Sequence, residues 1–285
     1  MRLISYLKDE TPGLALARGD QYLDLAPVDP SLPTDVGALL KLDDWKDRVE
    51  RAAQSASTLD LSAIRYLPPI RTGEKILCVG LNYLKHVGES PYEVPKYPVF
   101  FPRFSSTLIG HEAPLIKPFV SNELDFEAEM VAVIGRTGRH IAEQDALDHV
   151  AGYTLFNEAS VRDYQFFSPQ WTMGKNFDNT GACGPEFVSA DELPAGAKGL
   201  KIEMHVNGKV EQSANTDDLM FPVAKLVSLA SVVMTLRPGD MIVTGTPAGV
   251  RYGWKPPVYL NAGDVCEVSV ENIGVLRNTV ADETR

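Results

Sequence analysis

The chain has 285 residues, of which 44% are hydrophobic and 23% charged, so a sizeable core can form and we do not expect extensive disorder. The formal net charge of −11 argues against a nucleic-acid partner, because an acidic surface repels a phosphate backbone. Three widely spaced cysteines (Cys78, Cys183 and Cys266) argue against a disulfide framework, and without a signal-peptide pattern or a transmembrane-length apolar run we expect a cytoplasmic protein with no membrane contact.

Residues 1–70 are predicted to form a small N-terminal α+β domain. Short apolar runs predict strands at Leu3–Leu7, Leu14–Ala17 and Gln21–Leu25. A helical stripe of apolar residues follows over Val36–Ala53, with Asp35 as its N-cap. A pair of prolines then ends regular structure, and this part of the sequence shows no evident set of catalytic groups.

Residues 71–285 carry the motifs with chemical potential and are predicted to form the catalytic domain. Apolar runs predict strands at Lys75–Gly80, Asp125–Gly135, Leu200–Val206, Val210–Gln212, Met241–Gly245, Val265–Val270 and Ile273–Asn278. Helices are predicted at Ala142–His149 and Phe221–Leu236, and Asn207-Gly208 is a hairpin signal. Many short strands and few helices indicate a β-rich α+β fold with its helices on the outside.

Acidic residues occur at alternate positions of one predicted strand, namely Asp125, Glu127 and Glu129. On a strand these side chains share one face, and like charges at such spacing repel each other unless a cation or a basic group lies between them. Two interpretations remain open, a metal site or an exposed acidic edge strand that resists aggregation. A further acid, Glu158, favours the metal site, and oxygen ligands favour Mg²⁺ or Mn²⁺, with Ca²⁺ also possible.

Five motifs follow one another along residues 75–280. They are Val79-Gly80-Leu81-Asn82-Tyr83 with His86 and Glu89, then Asp125-Phe126-Glu127-Ala128-Glu129, the segment 157–165, the segment 174–178, and the segment 243–250. In this order the motifs resemble the fumarylacetoacetate hydrolase family, and together they are far more specific than any one alone. The resemblance implies a mixed β-sandwich roll for the catalytic domain and assembly as a homodimer or a dimer of dimers.

The resemblance also implies the metal ligands. Glu127 and Glu129 match the family's paired ligands. The third ligand in the family is usually an aspartate after the asparagine that matches Asn157, whereas this chain has Glu158. The additional methylene still lets the carboxylate reach a metal, but it changes the geometry, and Mg²⁺ demands nearly ideal octahedral coordination.

Catalytic roles are implied for His86, Glu89 and Lys175. His86 and Glu89 match a pair on the family's mobile lid segment, where a carboxylate beside an imidazole raises its basicity and suits it to act as a general base. Lys175 matches the family's pocket lysine, whose ammonium would stabilise developing negative charge. The competing interpretations are an exposed polar pair on a loop and a solvated lysine.

Substrate contacts are predicted for five residues, which are Arg162, Gln165, Thr246, Tyr83 and Arg103. Arg162 would bind a carboxylate and Gln165 a carbonyl, on the same side as the third ligand. Thr246 lies in a glycine-rich loop that allows close backbone approach to a ligand. Arg103 stands where many relatives carry lysine, and the competing interpretation for each polar residue is an ordinary surface or turn position. Aromatic candidates for the pocket wall are Tyr83, Tyr92, Phe101, Phe167 and Trp171.

The predicted activity is metal-dependent hydrolysis of a carbon–carbon bond in a diketo acid or acylpyruvate, such as a fumarylpyruvate-like intermediate of aromatic catabolism. The same groups also serve alternatives, namely decarboxylation, isomerisation or hydration of a 2-oxo acid such as oxaloacetate, and hydrolysis of a diketo-3-deoxy sugar acid. Each alternative takes a small anionic substrate. A non-catalytic binding module is a further alternative, against which the retained set of His86, Glu89 and Lys175 argues.

Overall fold

The structure is a computed structural model that describes residues 1–88 and 93–284. The strands are β1 (Arg2–Lys8), β2 (Thr11–Arg18), β3 (Gln21–Asp24), β4 (Arg65–Leu67), β5 (Ile76–Gly80), β6 (Val99–Arg103), β7 (Leu108–Ile109), β8 (Leu115–Lys117), β9 (Leu124–Asp125), β10 (Ala128–Ile134), β11 (Val150–Glu158), β12 (Ser160–Val161), β13 (Gly181–Ser189), β14 (Lys201–Val206), β15 (Lys209–Asn215), β16 (Met241–Val243), β17 (Val265–Val270) and β18 (Gly274–Asp282). The α-helices are α1 (Val36–Leu39), α2 (Trp45–Ala53), α3 (Leu84–Val87), α4 (Arg162–Phe166), α5 (Thr172–Lys175) and α6 (Val223–Val233). Short 3₁₀ helices lie at Leu61–Ala63, Ser105–Thr107, Glu143–His149, Ala190–Glu192, Ala195–Ala197, Thr216–Asp218 and Arg251–Gly253.

The larger sheet of the described residues has eleven strands, nine of them in the order β3-β2-β1-β13-β11-β10-β16-β5-β6, with β4 added beside β1 and β7 beside β13. Strand β1 pairs antiparallel with β13, where Leu3 is opposite Phe187. One hydrophobic cluster joins Leu16 of the N-terminal region to Val131 and Val243. Residues 1–70 therefore share a sheet and a core with the rest of the chain, and the predicted domain boundary stays a prediction.

The second sheet packs on the first and closes the core on the other side. It has the order β15-β14-β17-β18-β8. Buried and partly exposed residues alternate along β14 and β17, as expected for strands with one face on a core. Met130 and Leu155 of the larger sheet lie in one hydrophobic cluster with Met204, Val268 and Leu276 of the smaller sheet. Two packed sheets with peripheral helices confirm the β-rich α+β fold class, and both sheets are open.

Several of the predicted strands and the predicted hairpin are confirmed, and one predicted helix is corrected. The three N-terminal strands, the 207–208 hairpin and the strand Val265–Val270 are confirmed. The single helix predicted over Val36–Ala53 is wrong, because turns between α1 and α2 interrupt it at two adjacent aspartates, residues that compete for backbone hydrogen bonds. Asp35 does cap α1, since its side chain accepts from the Ala38 N–H. Among helices of the described residues, none is both long and apolar enough to span a bilayer.

Candidate active site

Three glutamates converge where β10 and β11 lie side by side. Glu129 belongs to β10, Glu127 immediately precedes it, and Glu158 ends β11. The antiparallel register places Glu158 opposite Glu127, and the Glu158 N–H donates to the Glu127 carbonyl at 2.9 Å. Side chains of opposed and alternate residues point to the same face, so the carboxylates meet there. One oxygen from each lies within 4.8 Å of the others, and each residue is at most 5% exposed.

Asp125 does not join this group, although alternate spacing predicted that it would. The predicted strand is interrupted, since β9 ends at Asp125 and β10 begins three residues later. The Asp125 oxygens instead accept from the backbone N–H groups of Phe126, Arg251 and Tyr252 at 3.0–3.2 Å. Asp125 Oδ2 also accepts from Arg162 Nε at 3.0 Å and forms an ion pair with Arg162 Nη2 at 2.9 Å. Asp125 therefore holds Arg162 in place.

Two buried cations bracket the glutamates. Lys175 Nζ donates to Glu127 Oε2 at 2.8 Å and to Glu158 Oε2 at 3.1 Å. Arg162 Nη1 donates to Glu127 Oε1 at 2.6 Å and to Gln165 Oε1 at 2.9 Å. Charge-assisted hydrogen bonds of this kind are among the strongest in proteins, and they keep Glu127 ionised.

The carboxylates differ in their proton affinity because their neighbours differ. Burial raises the pKa of Glu127, but the cations Lys175 and Arg162 outweigh burial and lower it to about 2. Burial, together with the carboxylates of Glu158 and Glu127, raises the pKa of Glu129 well above its ordinary value. Glu129 also accepts from the Gly245 N–H at 2.5 Å. The cluster thus carries more negative charge than its own cations stabilise.

The donor set fits a divalent cation that prefers oxygen. Glu158 Oε1 is buried and has no hydrogen-bond partner among residues 1–88 and 93–284, with Arg103 Nη1 3.5 Å away. A buried oxygen without a hydrogen bond is destabilising unless another group, such as a metal ion, satisfies it. Three carboxylate oxygens within 4.8 Å of one another form a donor set typical of hard cations. The residues that would hold such an ion are Glu127, Glu129 and Glu158.

Arg103 contacts Glu158 and holds the end of β11 in place. The guanidinium is 2% exposed and donates to Thr107 Oγ1, Thr180 Oγ1 and the Ala159 carbonyl at 2.8–3.1 Å. Arg103 does not appear among the described residues that line the cavity in front of the glutamates. Its predicted contact with a substrate stays a prediction, whereas its observed contacts fix the end of β11.

A cavity with an empty volume of about 380 Å³ opens in front of the carboxylates. The residues that line it are Val79, Gly80, Leu81, His86, Phe101, Glu127, Glu129, Glu158, Arg162, Gln165, Phe166, Trp171, Lys175, Thr246 and Tyr252. The predicted residues His86, Gln165 and Thr246 therefore meet the three glutamates, Arg162 and Lys175 in one place. His86 lies in α3 and is 6% exposed.

Two predicted residues, Tyr83 and Phe167, do not line this cavity. Tyr83 is 2% exposed and lines a neighbouring cavity with Met220 and Pro247. Phe167 is 73% exposed at the surface. Glu89 and Tyr92 lie outside the described residues. The pairing of His86 with Glu89 and the role of Tyr92 in the pocket wall stay predictions.

Gln212 is a functional candidate that sequence reasoning missed. It is 1% exposed in β15, and its side chain contacts both β10 and the loop that carries Thr246. A glutamine at an inward-facing position of a predicted strand was the available signal, because a buried amide needs several hydrogen-bond partners.

Residues 75–281 match the protein family described as fumarylacetoacetate (FAA) hydrolase, C-terminal. The chain is 38% identical to the mitochondrial oxaloacetate tautomerase fahd2 of Xenopus laevis, over 98% of this chain and 90% of that protein. It superposes with a TM-score of 0.86 and 31% identity on fumarylacetoacetate hydrolase from Exiguobacterium antarcticum, covering 99% of this chain and 100% of that one. Maleylpyruvate hydrolase from Sphingobium sp. SYK-6, in complex with a manganese(II) ion and pyruvate, matches with a TM-score of 0.82 and 27% identity over the full length of both chains. The chain therefore belongs to the fumarylacetoacetate hydrolase family.

Proposed function

We propose that this enzyme interconverts the keto and enol tautomers of oxaloacetate, or of a closely similar 2-oxo dicarboxylate, with Mg²⁺ or Mn²⁺ bound. One observation carries the proposal: three buried carboxylates share a small cavity with one imidazole and one ammonium group. The name of the Xenopus laevis relative and its 98% coverage of this chain support oxaloacetate as the substrate. The manganese in the maleylpyruvate hydrolase structure supports the choice of metal.

The charge balance of the site favours an anionic substrate. In the network of ion pairs around the three glutamates, the buried carboxylates of Asp125, Glu127, Glu129 and Glu158 outnumber the buried cations Arg103, Arg162 and Lys175 by one. A divalent cation makes the set positive by one charge, before any charge on His86, and supplies Lewis-acid polarisation of substrate oxygens. Because buried charge without a counterion is strongly unfavourable, the loaded site should take up a carboxylate.

The residues of the chain supply the proton transfer. The His86 imidazole would take a proton from C3 of the keto form and return it in the reverse direction, since an imidazole side chain can act as both a base and an acid. The C2 oxygen gains negative charge as C3 loses its proton. The Lys175 ammonium, already fixed by two glutamates, would stabilise that charge and supply the proton to the oxygen.

Carbon–carbon hydrolysis, which the sequence predicted first, is the second candidate. The pyruvate and manganese in the structure of the maleylpyruvate hydrolase support it. The name of the Xenopus laevis relative, which matches 98% of this chain, favours oxaloacetate over an acylpyruvate.

The test is to follow the ultraviolet absorbance of enol-oxaloacetate in Mg²⁺ or Mn²⁺, with and without EDTA, while assaying pyruvate release from oxaloacetate and from acylpyruvates. Accelerated tautomer equilibration that EDTA abolishes, with little pyruvate release, is the expected result. His86→Gln should slow equilibration by about 100-fold or more. Lys85→Gln, at an exposed neighbouring position, is the matched control. Fast acylpyruvate cleavage without tautomer equilibration would overturn the proposal in favour of hydrolysis.

A further inference from the structure

The orientation of the buried Gln212 amide is fixed by two backbone groups. Its Oε1 accepts from the Ala128 N–H at 2.9 Å, and its Nε2 donates to the Pro247 carbonyl at 2.7 Å. A backbone N–H can only donate and a carbonyl can only accept, so exchanging the amide oxygen and nitrogen would break both hydrogen bonds. Gln212 is therefore held in one orientation.

This orientation determines whether the Thr246 hydroxyl oxygen accepts or donates a hydrogen bond at Gln212. The second N–H of the Gln212 amide points to Thr246 Oγ1 at 2.8 Å, so the hydroxyl oxygen accepts there. The hydroxyl proton must then point in another direction, and no hydrogen bond donated by this hydroxyl is found among residues 1–88 and 93–284. Thr246 is 4% exposed and lines the cavity beside the glutamates. The remaining direction for donation is into the cavity.

The same glutamine links the Thr246 loop to the carboxylates. The Ala128 N–H that it accepts from lies between Glu127 and Glu129 in the chain. The loop approaches β15 so closely that a Cβ on Gly249, at φ +111°, would lie 2.1 Å from the Glu211 carbonyl oxygen. A glycine is needed at this contact, since no side chain fits and the backbone is left-handed. Gln212 thus sets the distance between the Thr246 loop and the start of β10.

We propose that Gln212 is a positioning residue that fixes Thr246 as a hydrogen-bond donor to a carboxylate oxygen of the substrate. The inference rests on the proposed function in that it takes the ligand to be a 2-oxo acid. Gln212 acts through Thr246 and does not itself line the cavity. A donor held in advance gives more affinity for an acceptor oxygen than a freely rotating hydroxyl, because less order is lost on binding.

A double-mutant cycle tests the coupling. Calorimetric binding of pyruvate in saturating Mg²⁺ is measured for wild type, Gln212→Leu, Thr246→Val and the double variant, with Thr246→Ser as the conservative variant. Each single loss should weaken pyruvate binding by about tenfold or more, as for a hydrogen bond to a charged group. The double variant should bind no more weakly than Thr246→Val alone, and Thr246→Ser should bind like wild type. Additive losses, or unchanged binding in Thr246→Val, would overturn the proposal.

Two further measurements keep the result interpretable. If Gln212→Leu does not fold, the ratio of pyruvate to pyruvamide affinity in wild type and in Thr246→Val replaces the cycle, because loss of a hydroxyl donor should reduce the preference for the carboxylate. An unchanged ratio would count against the inference. Enol-oxaloacetate turnover by wild type is measured separately. Turnover with an additive cycle refutes the role of Gln212 alone, whereas a coupled cycle without turnover refutes the proposed substrate alone.

Discussion

Two regions of the molecule bury carboxylates, and they do so in different ways. Near the N-terminus, Asp35 is 5% exposed, and each of its oxygens accepts hydrogen bonds from neutral donors. The donors are the Ala38 N–H at 2.8 Å, the Thr72 hydroxyl at 2.5 Å and the Arg71 N–H at 2.5 Å. At the ends of β10 and β11, three glutamates face one another instead, and one oxygen of Glu158 lacks a hydrogen-bond partner among the described residues.

The difference separates a carboxylate that stabilises the fold from carboxylates that serve chemistry. Asp35 joins the start of α1 to the segment before β5, so its charge is used within the protein. The glutamates raise one another's electrostatic energy, which burial makes worse, as the raised pKa of Glu129 shows. Such a cluster lowers the stability of the protein. A protein retains it when a bound ligand offsets the repulsion between the carboxylates. Substitutions in the two regions should therefore affect stability with opposite sign.

The largest effect is expected for Glu129→Gln. Substitution of a residue that merely orients a metal ligand lowers affinity or activity by about 10- to 100-fold, so removal of a ligand charge should exceed about 100-fold in both. In metal-free protein the same change should raise Tm, because it removes one of three repelling carboxylates while the amide oxygen can still accept from Gly245. Calorimetric metal titration, the tautomer assay and thermal unfolding in EDTA measure the three quantities. A lower Tm in EDTA would refute the account of repulsion.

Lys175→Met should change metal affinity and turnover in opposite directions. Loss of the ammonium should lower turnover by about 100-fold, as for other groups that stabilise developing negative charge. Metal affinity should instead rise by about tenfold or more, because Lys175 contacts two of the three glutamates and competes with a cation there. Lys198→Met, at an exposed position, is the matched control for both measurements. Weaker metal binding by Lys175→Met would show that the lysine supports the ion instead of competing with it.

Asp35→Ala should destabilise the protein without touching catalysis. The substitution leaves the start of α1 uncapped and removes the acceptor of the Arg71 N–H and the Thr72 hydroxyl. The loss should be about 2 kcal/mol in the free energy of unfolding, measured in EDTA by chemical denaturation. Activity per folded molecule should remain that of wild type. If Asp35→Ala and Glu129→Gln changed the stability of the metal-free protein in the same direction, the distinction between the two regions would not hold.

How far sequence predicts the fold depends on which faces of a strand are buried. Strands β14 and β17, with one buried face, show alternation and were predicted closely. Strands β11 and β13 form the middle of the larger sheet but were not predicted. Nearly every residue in them is buried, so no alternation is visible, and glycines with Pro185 make β13 resemble a turn.

Site residues could be predicted where the pattern that identifies them lies within a short stretch of sequence. Spacing along one strand identified Glu127 and Glu129, and Glu158 was noted as a further acid. The family resemblance supplied the role of Glu158 as third ligand and the role of His86. Two of the partners of Asp125 are backbone N–H groups more than a hundred residues away, which no local pattern encodes. The same holds for Gln212, whose contacts come from two distant segments. Groups that hold a site in place from across the fold are therefore the part that requires coordinates.

The smallest effect is expected for Glu158→Asp, which installs the residue that the family usually has. Arg103 and Lys175 hold the Glu158 carboxylate at 3.5 and 3.1 Å, so the longer side chain already has a defined position. Shortening it should change metal affinity by less than about tenfold, with Mg²⁺ affected more than Mn²⁺ because Mg²⁺ tolerates less distortion. Glu158→Gln, which keeps the length and removes the charge, should lose more than about 100-fold. If Glu158→Asp lowers metal affinity as much as Glu158→Gln, the length of the side chain and not its charge determines the affinity at this position. The contact with Arg103 would then position only a glutamate carboxylate correctly.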